Sequence, residues 1–152
     1  MSDVAGIHAR KYDYLERYVQ VGAASGRVIS VSFPRTPDAN ATDDHELLDR
    51  IAAYFEGERE DFRTVEVGLT VPTAHRSVLE ACHSIPFGEQ VTVERLCAMA
   101  GLDADDEGAH DAARDALAAN PVPLVLPDHR VRDGPSGAPP AVERALRALE
   151  GL

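Results

Sequence analysis

Three consecutive residues near the end of the chain, Asp128, His129 and Arg130, place a carboxylate, an imidazole and a guanidinium side by side. An apolar run over residues 122–126 precedes them and ends at Pro127, and a glycine and a proline follow closely. Carboxylates and imidazoles act in acid–base or nucleophilic chemistry, and guanidinium groups bind anions. A strand that stops at a packed polar turn is a common way to build a site on a rigid edge. The stretch is therefore either a functional site at the end of a strand or the remains of one.

The first seventy residues predict a small α/β unit. The alternation of "YVQVGAASGRVISVSF" about an Ala-Ala-Ser-Gly turn predicts a β-hairpin within residues 12–33. The helical spacing of "HELLDRIAAYFEG" predicts a helix capped by Thr42 and Asp43 and stopped by Gly57. "TVEVGLTV" alternates again and predicts a third strand.

The rest of the chain predicts four helices and a second domain. They cover "AHRSVLEACHSI", "TVERLCAMAGL" with Thr92 as its cap and Gly101 as its stop, "EGAHDAARDALAAN", and "AVERALRALEGL". Two short helices with a glycine-containing connection, followed by an extended segment, suggest a helix-turn-helix of the winged type. Asn120, before a proline, suits the turn that joins the third helix to the apolar run. We therefore expect an α/β domain over residues 1–72 and a winged-helix domain over residues 73–152.

The charge of the chain is strongly acidic. Its formal net charge is -11, and Lys11 is the only lysine among 15 basic residues. Acid excess with almost no lysine is typical of proteins from salt-loving organisms, in which molar salt screens a charged surface. In an ordinary protein this charge would argue against a nucleic-acid partner. For a halophile that argument is much weaker.

Neither cysteines nor histidines predict a metal or a cofactor. Cys82 and Cys97 lie fifteen positions apart in apolar helical patterns, which favours buried, inert thiols. The six histidines show no metal-binding spacing with acidic companions. No apolar stretch approaches the length of a membrane span and no charged-then-apolar leader opens the chain, so we expect a cytoplasmic protein without membrane partners.

Several motifs together resemble a known family. "SIPFGEQVTVERLCAMAGL", "ANPVPLVLPDHRV" and the terminal "LRALEG" are similar to the O6-alkylguanine-DNA alkyltransferases over roughly residues 45–150. The resemblance implies an N-terminal ribonuclease-H-like α/β domain and a C-terminal winged-helix domain. It also implies binding of duplex DNA in the minor groove, flipping of an alkylated guanine, and transfer of the alkyl group to a cysteine in "P-C-H-R".

The chain departs from this family at four places. The family's nucleophilic cysteine falls on Asp128, its intercalating arginine on Asp111, and the tyrosine that helps push the nucleotide out on Val93. The loop after "DHRVRDGPSG" is shorter than in the family, and two prolines stiffen it. Alkyltransferase-like proteins also lack the cysteine, but they keep the arginine and the tyrosine. The chain therefore resembles a degenerate or alkyltransferase-like member without the nucleophile.

The residues at the former nucleophile position allow more than one interpretation. Asp128 is either a substitute nucleophile, whose ester His129 would help to hydrolyse, or a structural group. In the structural case it bonds nearby backbone or pairs with Arg130 or Arg132. By the resemblance, His129 and Glu150 stand where the family supports its cysteine. They either polarise a water or tie the strand end to the last helix.

The candidate DNA contacts are few. Thr92, Arg95, Arg114 and Arg130 are candidates for contacting the DNA backbone. Against them, the window 103–115 on the third helix holds six acidic residues and a single arginine. Acidic residues at a helix N-terminus also stabilise the helix dipole, which is a purely structural reason for their presence.

These observations leave three functional hypotheses. The first is a DNA-repair protein of the alkyltransferase family that senses lesions or binds DNA without cysteine-based transfer. The second is a retired scaffold that binds another protein and has no affinity for DNA. The third is an active methyltransferase that uses Asp128 in place of cysteine. The expected partners are duplex DNA with an alkylated guanine and a repair protein, and the expected state is a monomer.

Overall fold

The computed structural model describes residues 6–152. Residues 1–5, which begin the predicted N-terminal domain and bear on the expectation of no leader, lie outside the described residues. Across the described part, no helix is long and apolar enough to span a bilayer.

The N-terminal half is built on a three-stranded antiparallel sheet. Its strands are β1 (Gly6–Tyr12), β2 (Arg17–Ala24) and β3 (Arg27–Ser32), which lie side by side in chain order. Every second residue of β2 is buried from Val19 onward, because successive side chains point to opposite faces of a strand. Ser25 and Gly26 have φ of 53° and 76°, the positive values that a two-residue hairpin turn requires.

The number of strands predicted for the N-terminal half is right, but one of these strands is misplaced. The hairpin within residues 12–33 is confirmed as β2 and β3. The strand predicted at "TVEVGLTV" is wrong, because that segment makes only one parallel bridge, between Val67 and Val28. The amide of Val28 donates to Glu66 and Gly68 donates back to Val28, both at 2.9 Å. Alternation fits such a short extended segment beside a sheet as well as it fits a strand.

Within residues 6–152, five α-helices and one 3-10 turn complete the fold. The elements are α1 (Glu46–Phe55), α2 (Thr73–Cys82), α3 (Val93–Met99), α4 (Glu107–Ala118), the 3-10 turn Asp128–Arg130, and α5 (Pro140–Glu150). Helices α2, α3 and α4 pack against one another, and α5 packs on the 3-10 turn.

The helix ends test the predicted caps. Thr92 caps α3 as predicted, since its hydroxyl accepts from the amide of Arg95 at 3.1 Å. The predicted cap of α1 is wrong: Nδ1 of His45 accepts from the amide of Leu47 at 3.1 Å. Thr42 instead extends the sheet beyond β1, where its carbonyl accepts from Ala9 and its amide donates to Ile7.

The apolar run over residues 122–126 is buried but is not a strand, so the predicted strand is wrong. Leu124 has a φ of 78°, and the amide of Leu126 donates to the carbonyl of Val122 at 2.9 Å, which closes a turn. Prolines at 121 and 123 have no amide to give to a ladder. The carbonyl of Pro121 accepts from Val31, which ties the run to β3.

The segment 132–139 packs the C-terminal half together. The carboxylate of Asp133 accepts from the amide of Val93 at 2.7 Å and so adds a second cap to α3. A Cβ at Gly134 would lie 2.8 Å from Leu117 Cδ1 and 3.2 Å from Val93 Cγ2. The absence of a side chain therefore lets this segment sit directly on α3 and α4.

We expect Gly134→Ala to lower the free energy of unfolding by about 1–3 kcal/mol, because the added methyl group overpacks Leu117 and Val93. Gly108→Ala is the matched control, since its Cβ would meet only the Asp106 carboxylate at 3.3 Å and alanine favours the helix. Urea unfolding of both variants measures the difference. Equal stability of the two variants would contradict this packing.

Candidate functional site

The three residues of the predicted site lie on the 3-10 turn and are fully buried. Asp128, His129 and Arg130 each have no exposed surface. The turn is held by amides of Arg130 and Val131 that donate to Pro127 and Asp128, and a parallel bridge joins Val131 to Val91. The sequence prediction of a packed polar turn is confirmed, but the turn follows another turn instead of a strand.

Three donors hold the carboxylate of Asp128. The Ser136 hydroxyl donates to Oδ1 at 2.6 Å, while the Asn120 amide group and the Gly137 backbone N–H donate to Oδ2 at 3.0 and 2.8 Å. Burial raises the pKa of Asp128 to about 6, against the opposing effect of these hydrogen bonds, and the like charge of Glu143 adds to the rise. Both oxygens are occupied, and neither meets solvent.

This geometry decides between the structural alternatives for Asp128. Bonding to nearby backbone is confirmed by the Gly137 contact. Pairing with an arginine is wrong, because Arg130 turns to Glu150 and Arg132 is exposed. Sequence reasoning missed Ser136 and Gly137. A Cβ at Gly137 would lie 2.3 Å from the Asn120 carbonyl oxygen, but only the three-dimensional path of the chain reveals that approach.

Asn120 organises the turn that precedes the site. Its Oδ1 accepts from the amide of Val122 at 2.9 Å, and its Nδ2 donates to the carbonyl of Leu126 at 3.0 Å as well as to Asp128. The side chain therefore bonds the amide of the turn that it starts and links it to the candidate site. This is the architectural position expected for it.

A single carboxylate, Glu150 at the end of α5, gathers the surrounding donors. His129 Nε2 lies 2.6 Å from Oε2, and Arg130 donates through Nε to Oε1 at 2.8 Å and through Nη2 to Oε2 at 3.0 Å. The Tyr54 hydroxyl donates to Oε2 at 2.5 Å and the Gly88 amide to Oε1 at 2.9 Å. The predicted partnership of His129 and Glu150 is present as a direct contact.

The charges of this cluster are fixed by burial and pairing. Burial opposes ionisation of Glu150, but hydrogen bonds from His129 and Arg130 outweigh it and lower the pKa of Glu150 to about 2. Burial lowers the pKa of His129, against the attraction of Glu150. We therefore assign a neutral imidazole that donates from Nε2. Its Nδ1 has no hydrogen-bond partner within residues 6–152.

The candidate DNA contacts are dispersed. Arg95 on α3 and Arg114 on α4 are exposed, and Thr92 is half-buried. Arg130 cannot serve as the surface contact predicted for it, because its guanidinium is buried against Glu150 and donates to the carbonyl of Ile85 at 2.6 Å.

The other residues noted in the sequence lie at separate places. Asp111 is exposed on α4, and Val93 is 1% exposed in the core. Cys82 and Cys97 are buried, and burial raises the pKa of both thiols. Among the described residues, no group of three or more His, Cys, Asp or Glu is placed to hold a metal ion. A pocket of about 380 Å³ lies beside α1 and the β2–β3 turn, and Asp128 does not line it.

Comparison with known proteins identifies the family. Residues 73–150 match the model described as "6-O-methylguanine DNA methyltransferase, DNA binding domain". The chain belongs to the O6-methylguanine-DNA methyltransferase family. The prediction made from "IPFGE", "NP" and "HRV" is thereby confirmed.

The relatives include proteins named as methyltransferases and one named as a base-flipping protein. A methylated-DNA–protein-cysteine methyltransferase of Methanothermobacter thermautotrophicus is 37% identical over 70% of this chain and 60% of the relative's length. One of Methanopyrus kandleri is 33% identical over 70% of this chain and 78% of the relative. A DNA base-flipping protein of Thermus thermophilus is 32% identical over 65% of this chain and 64% of the relative.

Solved structures share the whole fold. A crystal structure of Mycobacterium tuberculosis OGT in complex with DNA aligns with a TM-score of 0.74 at 23% identity, over 95% of this chain and 91% of that chain. The O6-methylguanine-DNA methyltransferase of Pyrococcus kodakaraensis aligns with a TM-score of 0.70 at 19% identity, over 97% of this chain and all of that chain. The three-stranded sheet and five helices are therefore the fold of this family.

We expect Glu150→Gln to lower the free energy of unfolding by about 3–5 kcal/mol, because it leaves the Arg130 charge buried without its counter-ion. Tyr54→Phe removes one donor and keeps both charges, so a loss of about 1–3 kcal/mol is expected. Urea unfolding at neutral pH measures both.

Comparison of the wild type with Glu150→Gln tests the charge state of Glu150. Because the folded pKa lies below the usual value of 4.5, the stability that ionised Glu150 provides is present above pH 4.5 and is lost as pH falls toward 2. The Gln variant lacks this loss. If acid destabilises both proteins by the same free energy, Glu150 is not the titrating group.

Proposed function

We propose that this protein is a DNA-binding member of the methyltransferase family that does not transfer alkyl groups to itself. We infer the absence of alkyl transfer from Asp128, whose carboxylate is buried with three hydrogen bonds at the family's acceptor position. DNA binding is supported by the family model, which covers the DNA-binding domain.

A relative supports DNA binding with base flipping. The Thermus thermophilus protein is named for base flipping and not for methyl transfer. We extend this to our chain: it would bind duplex DNA with an alkylated guanine and pass the signal to a repair protein. A cytoplasmic, monomeric protein is the state that we propose with it.

The finer architecture belongs to the same proposal. The family model begins at residue 73, which supports a C-terminal domain over residues 73–152, and we propose that this domain is of winged-helix type. The parallel bridge between Val91 and Val131, beside α3 and α4, is compatible with a small wing. Residues 1–72 would form the ribonuclease-H-like unit. Buried side chains from both halves share one hydrophobic cluster, so the two domains would not unfold separately.

The residues proposed to contact DNA are those on the surface of the helical half. Thr92 and Arg95 lie together at the start of α3, and Arg114 is exposed on α4. His129, Asn120 and Glu150 are proposed as structural, since each is buried with hydrogen-bond partners inside the fold.

A second candidate function is favoured by the surface of α4. Glu107, Asp111 and Asp115 are all exposed and repeat every four residues, so they form one acidic stripe along the helix. Phosphates are repelled by such a stripe at low salt. A scaffold that binds a protein partner and not DNA is the alternative that this observation supports.

The hypothesis of Asp128 as the nucleophile has no support in the geometry. An attacking carboxylate must reach the alkyl carbon, and Asp128 has no exposed surface.

The experiment that tests the proposal is a titration against a duplex with O6-methylguanine and the same duplex unmodified, over a series of potassium chloride concentrations. We expect tighter binding to the lesion and affinity that falls as salt rises, since the slope reports phosphate contacts. An Arg95→Ala, Arg114→Ala double variant should flatten the slope by about 1–2.

Arg35→Ala is the control for this titration, because it removes one exposed positive charge from the N-terminal half. Its salt slope should match the wild type. No binding of either duplex at any salt concentration would overturn the proposal in favour of the scaffold. Equal binding of the two duplexes would leave DNA binding in place and remove lesion sensing.

We expect Asp128→Cys to remain inactive in alkyl transfer. The introduced thiol would be buried beneath residues 136 and 137, and the family's tyrosine and arginine positions would still hold Val93 and Asp111. The measurement is transfer of a labelled methyl group from O6-methylguanine DNA to the protein. Labelling of the variant but not of Asp128→Ser would show that the chain still presents a flipped base to this position.

A further inference from the structure

The turn that carries Asp128 is covered by one segment, residues 133–139, which we name the covering segment. Ser136 and Gly137 of this segment supply two of the three donors to Asp128. The segment braces itself at the same point, since the amide of Ala138 donates to the Ser136 hydroxyl at 3.0 Å. Asp128 is fully buried, while Gly137 is exposed above it.

The covering segment packs tightly on the residues beneath it. A Cβ at Gly137 would lie 2.3 Å from the Asn120 carbonyl oxygen, and one at Gly134 would lie 2.8 Å from Leu117. At its start, Asp133 is bonded to the amide of Val93. A molecule that is to reach Asp128 must therefore first displace this segment.

The position of the three hydrogen bonds gives Asp128 a role of its own. They join the end of α4, the turn and the covering segment, and all three meet on one carboxylate. We propose that Asp128 is a latch that keeps the covering segment closed over the turn, so that release of its carboxylate opens the turn to solvent. This role goes beyond DNA binding and does not depend on it.

The latch is sensitive to pH because its carboxylate is buried. The titratable groups that face it are Glu143 on α5, whose like charge adds to the rise in the pKa of Asp128, and the Cys82 thiol on α2, which burial keeps neutral by raising its pKa well above the usual value. Its chain neighbours, His129 and Arg130, are bonded to Glu150 instead.

The sign of this dependence follows from the two states. In the closed state the pKa of Asp128 is about 6, and in an open, hydrated state it returns toward 3.8. The closed state therefore binds the proton more tightly, so acid favours closure and ionisation favours opening. The ratio of open to closed molecules rises about tenfold from pH 5 to pH 8 by this linkage.

Amide hydrogen exchange of Gly137 tests the latch, because its N–H donates to Asp128. After correction for the intrinsic exchange rate, we expect the opening ratio of Gly137 in the wild type to rise about tenfold from pH 5 to pH 8. In Asp128→Asn, whose amide cannot ionise, opening is more frequent and independent of pH. Amides of β2, the central strand, report global unfolding in the same spectra.

Two further variants keep the test decisive. Ser136→Ala removes one donor and leaves the carboxylate, so Gly137 should exchange several-fold faster while its pH dependence persists. This variant also serves if Asp128→Asn fails to fold. Asp106→Asn is the control, because this carboxylate caps α4 and should leave Gly137 unchanged.

Two results would overturn the latch. One is an opening ratio of Gly137 that is the same in wild type and Asp128→Asn at every pH. The other is exchange of Gly137 with the same free energy as the β2 amides in all variants, because opening would then be global unfolding and not release of a segment.

Discussion

The C-terminal half depends on the hydrogen bonds and the ion pair of the Glu150 carboxylate. This carboxylate receives donors from α1, from the loop at Gly88 and from two residues of the 3-10 turn, so elements far apart in sequence meet on two oxygen atoms. A buried charge is tolerated only when it is paired and fully hydrogen-bonded. Arg130 and Glu150 pair their charges in this way, and this pair holds the 3-10 turn in place.

This arrangement gives His129 and Glu150 a structural role that does not depend on any chemistry at position 128. His129 and Glu150 would assist a thiolate at position 128, but both are also required to bury Arg130 without an unpaired charge. Selection on stability alone would keep them. Asp128 is free of that network, since its partners are Asn120, Ser136 and Gly137. A change of the side chain at position 128 would therefore leave the contacts of Glu150 in place.

The helices and the packed polar turn could be predicted from the sequence. The prediction failed where the structure depends on burial or on the three-dimensional path of the chain. Thr92 was predictable because an N-cap is a local signal. The strand predicted over residues 122–126 was wrong because a run buried on all sides has no period, and the φ of Leu124 is not visible in its residue type. Strand β1 was missed because "GIHARKY" carries polar residues, and His8 among them is buried. Ser136 and Gly137 belong to the site only through the fold.

The outer edges of strands β1 and β3 are hydrogen-bonded to other segments of the chain at the places described above. Residues 66–68 and Pro121 occupy the free side of β3, and Thr42 occupies the free side of β1. Unpaired strand edges are templates on which other chains add strands. An acidic protein in concentrated salt loses the charge repulsion that would otherwise keep copies apart. The hydrogen bonds of residues 42, 66–68 and 121 therefore protect the sheet edges in a way that does not depend on charge, so added salt does not remove this protection.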